Sequence, residues 1–312
     1  ACVGLMGIGT FTQVNGIASA TKNFFDPNMQ STVELFGRTY SWATVITCLI
    51  LTIVVGLVVL GGIKRIARVS EIIVPFMAVL YVAFALLILI TNASQIPAAI
   101  ATIVKSAFTG SALAGGVMGS MVVAMQKGIA RGIFSNEAGL CRARIAAAAA
   151  QTKEPVRQGL VSMTGTFIDT VVICSMTGIS IVLTGTWNTG LEGVEITSAA
   201  FQKGLPFPAE ISSFVLMLCL VFFAFTTILG WDYYGERCVE YLFNRNNGVV
   251  TGYRWLYILA VFIGPYMTVE AVWNIADIFN ALMALPNLIA LLTLSGVVVR
   301  ETKAYFKKGQ ES

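Results

Sequence analysis

An all-α polytopic membrane protein is the fold class this sequence predicts, on three observations. Apolar residues come in continuous blocks of about 17 or more, long enough to cross a hydrocarbon core of about 30 Å. Charged residues make up 12% of the chain and the mean hydropathy is +0.80, whereas soluble domains are about a quarter charged. Lys and Arg gather in alternate loops, as the positive-inside rule requires. The period-two alternation of a membrane barrel is absent.

Eight spans follow from the blocks: about 1–21, 41–61, 70–91, 112–150 (interrupted), 158–185, 211–240, 254–270 and 272–299, forming one transmembrane domain over 1–312. The run "IPAAIATIVKSAFT" at 96–109 is apolar but short, and reads as an interfacial helix. Pro75, Gly139 and Pro286 interrupt spans, which membrane helices tolerate where protein buries the freed backbone. With the first residue on the cytoplasmic side, most of the 20 Lys and Arg cluster in inside loops, around 64–68, 142–157, 237–254 and 300–308. That places the C-terminus in the cytoplasm and makes 272–299 one long helix bent at Pro286. The largest outside loop, "TWNTGLEGVEITSAAFQKGLPFPAE", carries acids and Gly/Pro breaks.

Several chemistries are excluded early. The chain has no histidine, which removes His-dependent metal sites, triads and proton relays. Its six cysteines lie in or at the ends of apolar runs without metal spacing, and read as reduced packing residues. A net charge of +4 does not point to nucleic acid. The glycine-rich "LAGGVMGS" lacks the Lys-Ser/Thr ending of a phosphate loop and reads as small-residue helix packing. The chain opens "ACVGLMGIGTF", without Met or a basic leader, so further residues are expected upstream.

The stretch "GIFSNEAGL" at 132–140 puts polar residues and two glycines between apolar runs. The segment 112–150 is about twice as long as a span needs, yet loop charges place its ends on opposite sides. Two readings fit. Either 112–130 spans alone and a cytoplasmic loop follows, or the whole is one discontinuous span, unwound at "FSNEAGL" so that free backbone groups can hold an ion or zwitterion.

This stretch, with the following "IAAAAAQTKEPVRQGLVSMTGTFIDTVV", resembles the signature of the alanine/glycine:cation symporters, the sodium:alanine symporter family. So do "FFAFTTILGWDYYGERCVEYL", "VWNIADIFNALMALPNLIALLTLSGVVVRETKA" and "VVLGGIKRIARVSEIIVPFMAVLY", so the resemblance covers essentially the whole chain. It implies a leucine-transporter-like inverted-repeat helical bundle, of the fold superfamily typified by amino acid–polyamine carriers. The first helices of repeat one, including a broken helix, would lie before residue 1. It implies sodium-coupled symport of a small neutral amino acid, alanine or glycine, with Na⁺ as coupling ion and no other cofactor. Proton-coupled amino-acid transport, and a channel, are the competing readings. Where the family has small residues after "NEAGL", this chain carries Cys141, Arg142, Ala143 and Arg144, which adds charge beside the break.

By the same resemblance the substrate-binding residues are Gln13, Phe134, Ser135, Asn136, Thr227 and Trp231. On their own these residues also suit blander roles: Gln13 bonding a neighbouring helix, Phe134–Asn136 forming a polar loop, Trp231 packing. Thr227 and Trp231, four apart, share a helix face, and the indole would limit substrate size. Thr226 and Thr227 offer adjacent hydroxyls suited to sodium, or hydroxyls bonded back to their own helix. Glu137 is expected to cap the break or pair with Arg131, and Asp277 to be capped and wet. Asp169 reads as the costliest interior charge, about 2.5–3.5 kcal/mol if uncompensated, in a structural or cation-linked role.

Overall fold

The computed structural model describes the backbone of all residues except 1, 36, 109–116, 137–138, 141–144, 146, 149, 153, 192 and 311–312. The side chains of 2–3, 5–8, 107–108, 117–121, 123–124, 127 and 308–310 also lie outside the description. Glu137 and the stretch Cys141–Arg144 therefore fall outside it.

The described chain is almost wholly helical. Six helical stretches are long and apolar enough to cross a membrane: Trp42–Val59, Ile63–Thr91, Pro155–Leu183, Ala209–Leu242, Asn247–Tyr266 and Val269–Lys307. Two compact units divide the chain, 1–115 with 175–276, and 116–174 with 277–312.

The first unit is built around α1 (Cys2–Phe25), which packs most extensively on the long α9 (Ala209–Leu242) and also meets α2 (Trp42–Val59), α8 (Val194–Gly204) and α10 (Asn247–Ile263). Thr12, Gln13, Asn15 and Ser19 make α1 too polar for the set of six, although 1–21 is an expected span. Enclosure by protein removes the need for an apolar surface; Thr10, Val14, Ile17 and Ala18 are buried. After α1 comes a two-stranded hairpin, β1 (Thr32–Leu35) paired with β2 (Arg38–Ser41), which no pattern in the sequence suggested. Ser41 ends β2 and caps α2, its hydroxyl accepting from the Ala43 amide and donating to Asp26.

Ile63–Thr91 forms α3, continuous through Pro75, and α4 (Ile96–Phe108) is the short helix expected there. The run drawn as a large outside loop contains α8, whose Ala200 and Phe201 are fully buried. Apolar side chains at Ala200, Phe201 and Leu205 dock it; Phe201 meets Tyr81 of α3 with ring centroids 5.7 Å apart. Arg237 and Arg254, assigned to inside loops, lie within α9 and α10.

In the second unit, α5 (Val117–Asn136) precedes the "AGL" turn, and α6 (Pro155–Phe167) passes through a π-helical stretch, Ile168–Cys174, into α7 (Ser175–Leu183), which belongs to the first unit. The last helix, α11 (Val269–Gln310), runs unbroken through Pro286.

Candidate functional site

The helix α5 continues through Asn136. Phe134, Ser135 and Asn136 are thus its last turn, not the unwound stretch expected of them. The described departure comes at Gly139, whose φ of 80° only glycine adopts cheaply. Asn287 of α11 donates its Nδ2–H to the Gly139 carbonyl at 2.6 Å, satisfying an acceptor that the turn takes out of the helix ladder. "FSN" suits the end of a helix as well as a break, so only the positive φ marks where the chain turns.

Ser135 donates to Asp169 Oδ2 at 2.7 Å from the last turn of α5. Asp169 lies in the first turn of the π-helical stretch and is only half-buried, so it is not the costliest interior charge. Arg131 forks onto Asp277, Nη1 to Oδ1 at 2.7 Å and Nη2 to Oδ2 at 3.4 Å. The expectation of a merely hydrated Asp277 is corrected by that pair, which is a third exposed and of modest worth. Beside it a cavity of about 420 Å³ is lined by Gln126, Ile129, Ile133, Asp277, Asn280 and Ala284.

In the first unit Trp231 is 2% exposed and lies flat on α1. A Cβ placed on Gly9 would fall 1.9 Å from its Cδ2, so the indole occupies the space a side chain would need. Gln13 stands one turn beyond Gly9 on the same face of α1 and is half-buried. Thr226 donates to the Phe222 and Phe223 carbonyls at 3.0 and 3.1 Å, and Thr227 to Phe223 at 2.8 Å. The hydroxyl protons are committed to their own helix, while the oxygen lone pairs stay available to a cation. Thr227, half-buried, shares its face with Trp231; Thr226 is buried towards Met77.

A second cavity of the first unit, about 390 Å³, is lined by Thr12, Asn15, Ser19, Glu195, Val272 and Trp273, without Gln13 or Trp231. Asn15 donates to the Met267 carbonyl at 3.0 Å. Four of the expected site residues, Gln13, Thr226, Thr227 and Trp231, belong to the first unit; Phe134, Ser135 and Asn136 belong to the second.

Among the described residues the most deeply buried carboxylate is Asp232, which the sequence analysis does not single out. Asp232, next to Trp231, is fully buried, and neither of its oxygens has a hydrogen-bond partner among the described residues. Glu236, one turn on, is buried too but is held by Arg254, Nη2 to Oε1 at 2.7 Å and Nε to Oε2 at 3.0 Å. The signal for Asp232 was present in "GWDYYGER": an acid inside a long apolar run.

Comparison with known proteins agrees with the sequence resemblance. The family model described as the sodium:alanine symporter family matches residues 1–312. An uncharacterized transporter of Haemophilus influenzae is 50% identical over 308 residues, 98% of this chain and 63% of its own length. The sodium/alanine symporter AgcS of Methanococcus maripaludis is 45% identical, over 96% of this chain and 62% of its own length. A sodium/proton-dependent alanine carrier protein of a Bacillus species is 31% identical, over 90% and 66%. The chain thus spans just over three fifths of the length of the first two of these relatives.

Proposed function

The chain belongs to the sodium:alanine symporter family, and on that premise we propose that it serves sodium-coupled symport of a small neutral amino acid, alanine or glycine, by alternating access. It is a multi-pass membrane transporter protein rather than an enzyme.

The observation that carries the substrate reading is the indole of Trp231, immobilised against Gly9. By the family resemblance the indole bounds the side-chain end of the substrate pocket, and a large ring held in place there favours a small side chain such as a methyl group. The family resemblance assigns Gln13, and separately Phe134, Ser135 and Asn136, to the substrate; these side chains carry the amides and hydroxyl that suit a zwitterion's ends. Thr226 and Thr227 supply two hard oxygens for Na⁺. Ion and substrate held by the same helices have the differential affinity that coupling requires. We place the plasma membrane on the outside of the six apolar helices and the C-terminus in the cytoplasm, from the Lys/Arg distribution.

Uptake of labelled alanine into proteoliposomes tests this directly. Inward Na⁺ gradients should drive accumulation, and Thr227→Ala should raise the Na⁺ concentration for half-maximal uptake several-fold, about the loss of one ligand oxygen. Trp231 replaced by Leu should admit longer amino acids. Uptake driven equally well by a pH gradient without Na⁺ would favour proton coupling, which the name of the Bacillus relative keeps in view. Unsaturable flux would favour a channel.

A further inference from the structure

The cavity of about 390 Å³ in the first unit has no part in the site just described. Three elements wall it: α1 with Asn15 and Ser19, the first turn of α8 with Val194 and Glu195, and the first turn of α11 with Val272 and Trp273. Asn15, Ser19 and Asn23 follow one another at single turns along one face of α1. The start of α8 lies against that face. A Cβ placed on Gly16 would stand 3.9 Å from Val194 Cγ2, and Asn23 donates its Nδ2–H to Glu195 Oε1 at 3.3 Å. Ser19, one turn before Asn23, is therefore the cavity-lining hydroxyl of α1 nearest in sequence to the residue that meets this carboxylate.

Several acceptors remain unused around the cavity. Glu195 Oε2 has no hydrogen-bond partner among the described residues, and Glu195 forms no ion pair there. Asn15 spends its Nδ2–H on the Met267 carbonyl and keeps Oδ1 unbonded, while Ser19 makes no hydrogen bond. All three side chains are half-buried, and none of these oxygens is sealed inside the protein. Glu195 is the one charged side chain among the described residues lining the cavity. Lys22, the next cation along α1, is outside the lining and acts on Asp26 instead.

An unpaired carboxylate at a half-buried wall attracts a cation. Size and lining decide which one. A bare ion needs several hard ligands, and among the described residues no cluster of acids or cysteines could hold a metal. The volume instead lies in the range of about 300–1,000 Å³ usual for organic ligands. Val194, Val272 and the Trp273 indole give such a ligand an apolar wall, and an indole face itself attracts ammonium groups. An amino-acid zwitterion fits poorly. Its carboxylate would approach Glu195 with no Lys or Arg among the described lining residues to receive it.

We propose that this cavity binds an organic ammonium ion with an apolar body and no carboxylate, of the arylalkylamine type. Glu195 holds the ammonium group, Trp273 and Val272 hold the apolar body, and Asn15 and Ser19 offer acceptors along α1. This site is separate from the amino-acid pocket proposed around Gln13 and Trp231, and it stands without any assumption about transport.

Equilibrium dialysis of radiolabelled phenethylamine against the purified protein, at neutral pH and constant ionic strength, tests it. One saturable site per chain is expected. Phenethyl alcohol, which keeps the body and lacks the charge, should fail to compete, and saturating alanine should displace nothing. Glu195→Gln should weaken binding about tenfold, the loss of a charge-assisted hydrogen bond. Glu210→Gln removes an exposed acid outside the cavity and should leave binding unchanged. Trp273→Leu should weaken binding about fivefold, while Trp273→Phe, which keeps a ring, stays within about twofold. Wild-type affinity in both Glu195→Gln and Trp273→Leu would overturn the site. Equal competition by phenethyl alcohol would also overturn it, because apolar partition would then explain the binding; that comparison uses the unaltered protein and holds even if a variant fails to fold. Displacement by alanine would overturn it too, by making this cavity the amino-acid pocket. None of these readouts depends on uptake, so failure of the symport reading is not failure of this one.

Discussion

Gly9 and Trp231 illustrate how a single missing Cβ positions a large side chain. The indole is packed so closely on α1 that Gly9→Ala must displace it, because the added carbon would overlap the six-membered and five-membered rings alike. Overpacking of this kind costs about 1–3 kcal/mol. Thermal unfolding should show Gly9→Ala destabilised by that amount. Trp231→Leu in the same background should recover most of the loss, a non-additivity that only direct contact produces. From the sequence, Gly9 was one glycine of several in an apolar run, and Trp231 drew notice through family resemblance. Asp169 and Asp232 make the converse point. Both are acids in apolar runs, but one meets Ser135 at a half-buried position and the other is enclosed with no donor among the described residues. Burial depends on which helices come together, and sequence spacing carries no record of that.

At the scale of elements, the start of α2 rests on two short side chains. Ser41 accepts from the Ala43 amide at 3.2 Å and donates to Asp26 Oδ2 at 2.5 Å, while the Gln30 amide donates to Asp26 Oδ1 at 2.7 Å. The Ser41 hydroxyl, followed by the Gln30 and Ser31 amides, lowers the Asp26 pKa below its ordinary 3.8. A carboxyl with a depressed folded-state pKa stabilises above the ordinary value, and that contribution disappears as pH falls through the depressed one. Thermal unfolding of wild type and Asp26→Asn should therefore differ at neutral pH and converge in strong acid. Ser41→Ala removes the cap and should cost about 1 kcal/mol at neutral pH. Gly139 is the corresponding device in the second unit. Its positive φ makes Gly139→Ala unfavourable by about 1–2 kcal/mol, although the nearest atom to the new Cβ, Leu288 Cδ2 at 3.9 Å, leaves room for it. Unfolding of that variant should report backbone strain and no clash. The length of 112–150, its loop charges and the family resemblance placed a break within 132–141, whereas α5 is helical through Asn136 and the described turn is at Gly139.

For the whole molecule, orientation is the property that composition speaks to most directly. Arg300, Lys303, Lys307 and Lys308 at the end of α11 should hold the C-terminus in the cytoplasm. A C-terminal green fluorescent protein fusion should fluoresce in cells, and a C-terminal alkaline phosphatase fusion should be inactive; the reverse pair would invert the topology. The polar character of α1 is the other whole-molecule lesson. Read alone, Thr12, Gln13, Asn15 and Ser19 weaken it as a span, yet it is the helix on which α2, α8, α9 and α10 converge. A helix enclosed by other helices does not need to match lipid. It can spend its surface on hydrogen bonds, such as Asn15 to the Met267 carbonyl and Thr21 to the Ile17 carbonyl.

Hydropathy and family motifs by themselves determined that this chain is helical, crosses a membrane several times and is a symporter-family protein, because lipid acts on each segment separately and leaves its mark as unbroken apolar length. They also marked Gly139 and Trp231. Tertiary structure alone decided that "TSAAFQKG" is a docked helix, that residues 32–41 form a hairpin, that Arg254 forks onto Glu236, and that Asp232 is buried with no hydrogen-bond partner among the described residues. These depend on contacts between residues far apart in the chain, where the energy of a polar group is set by what neighbouring helices bring to it. A charge in an apolar run is visible in sequence; whether it is paired is not.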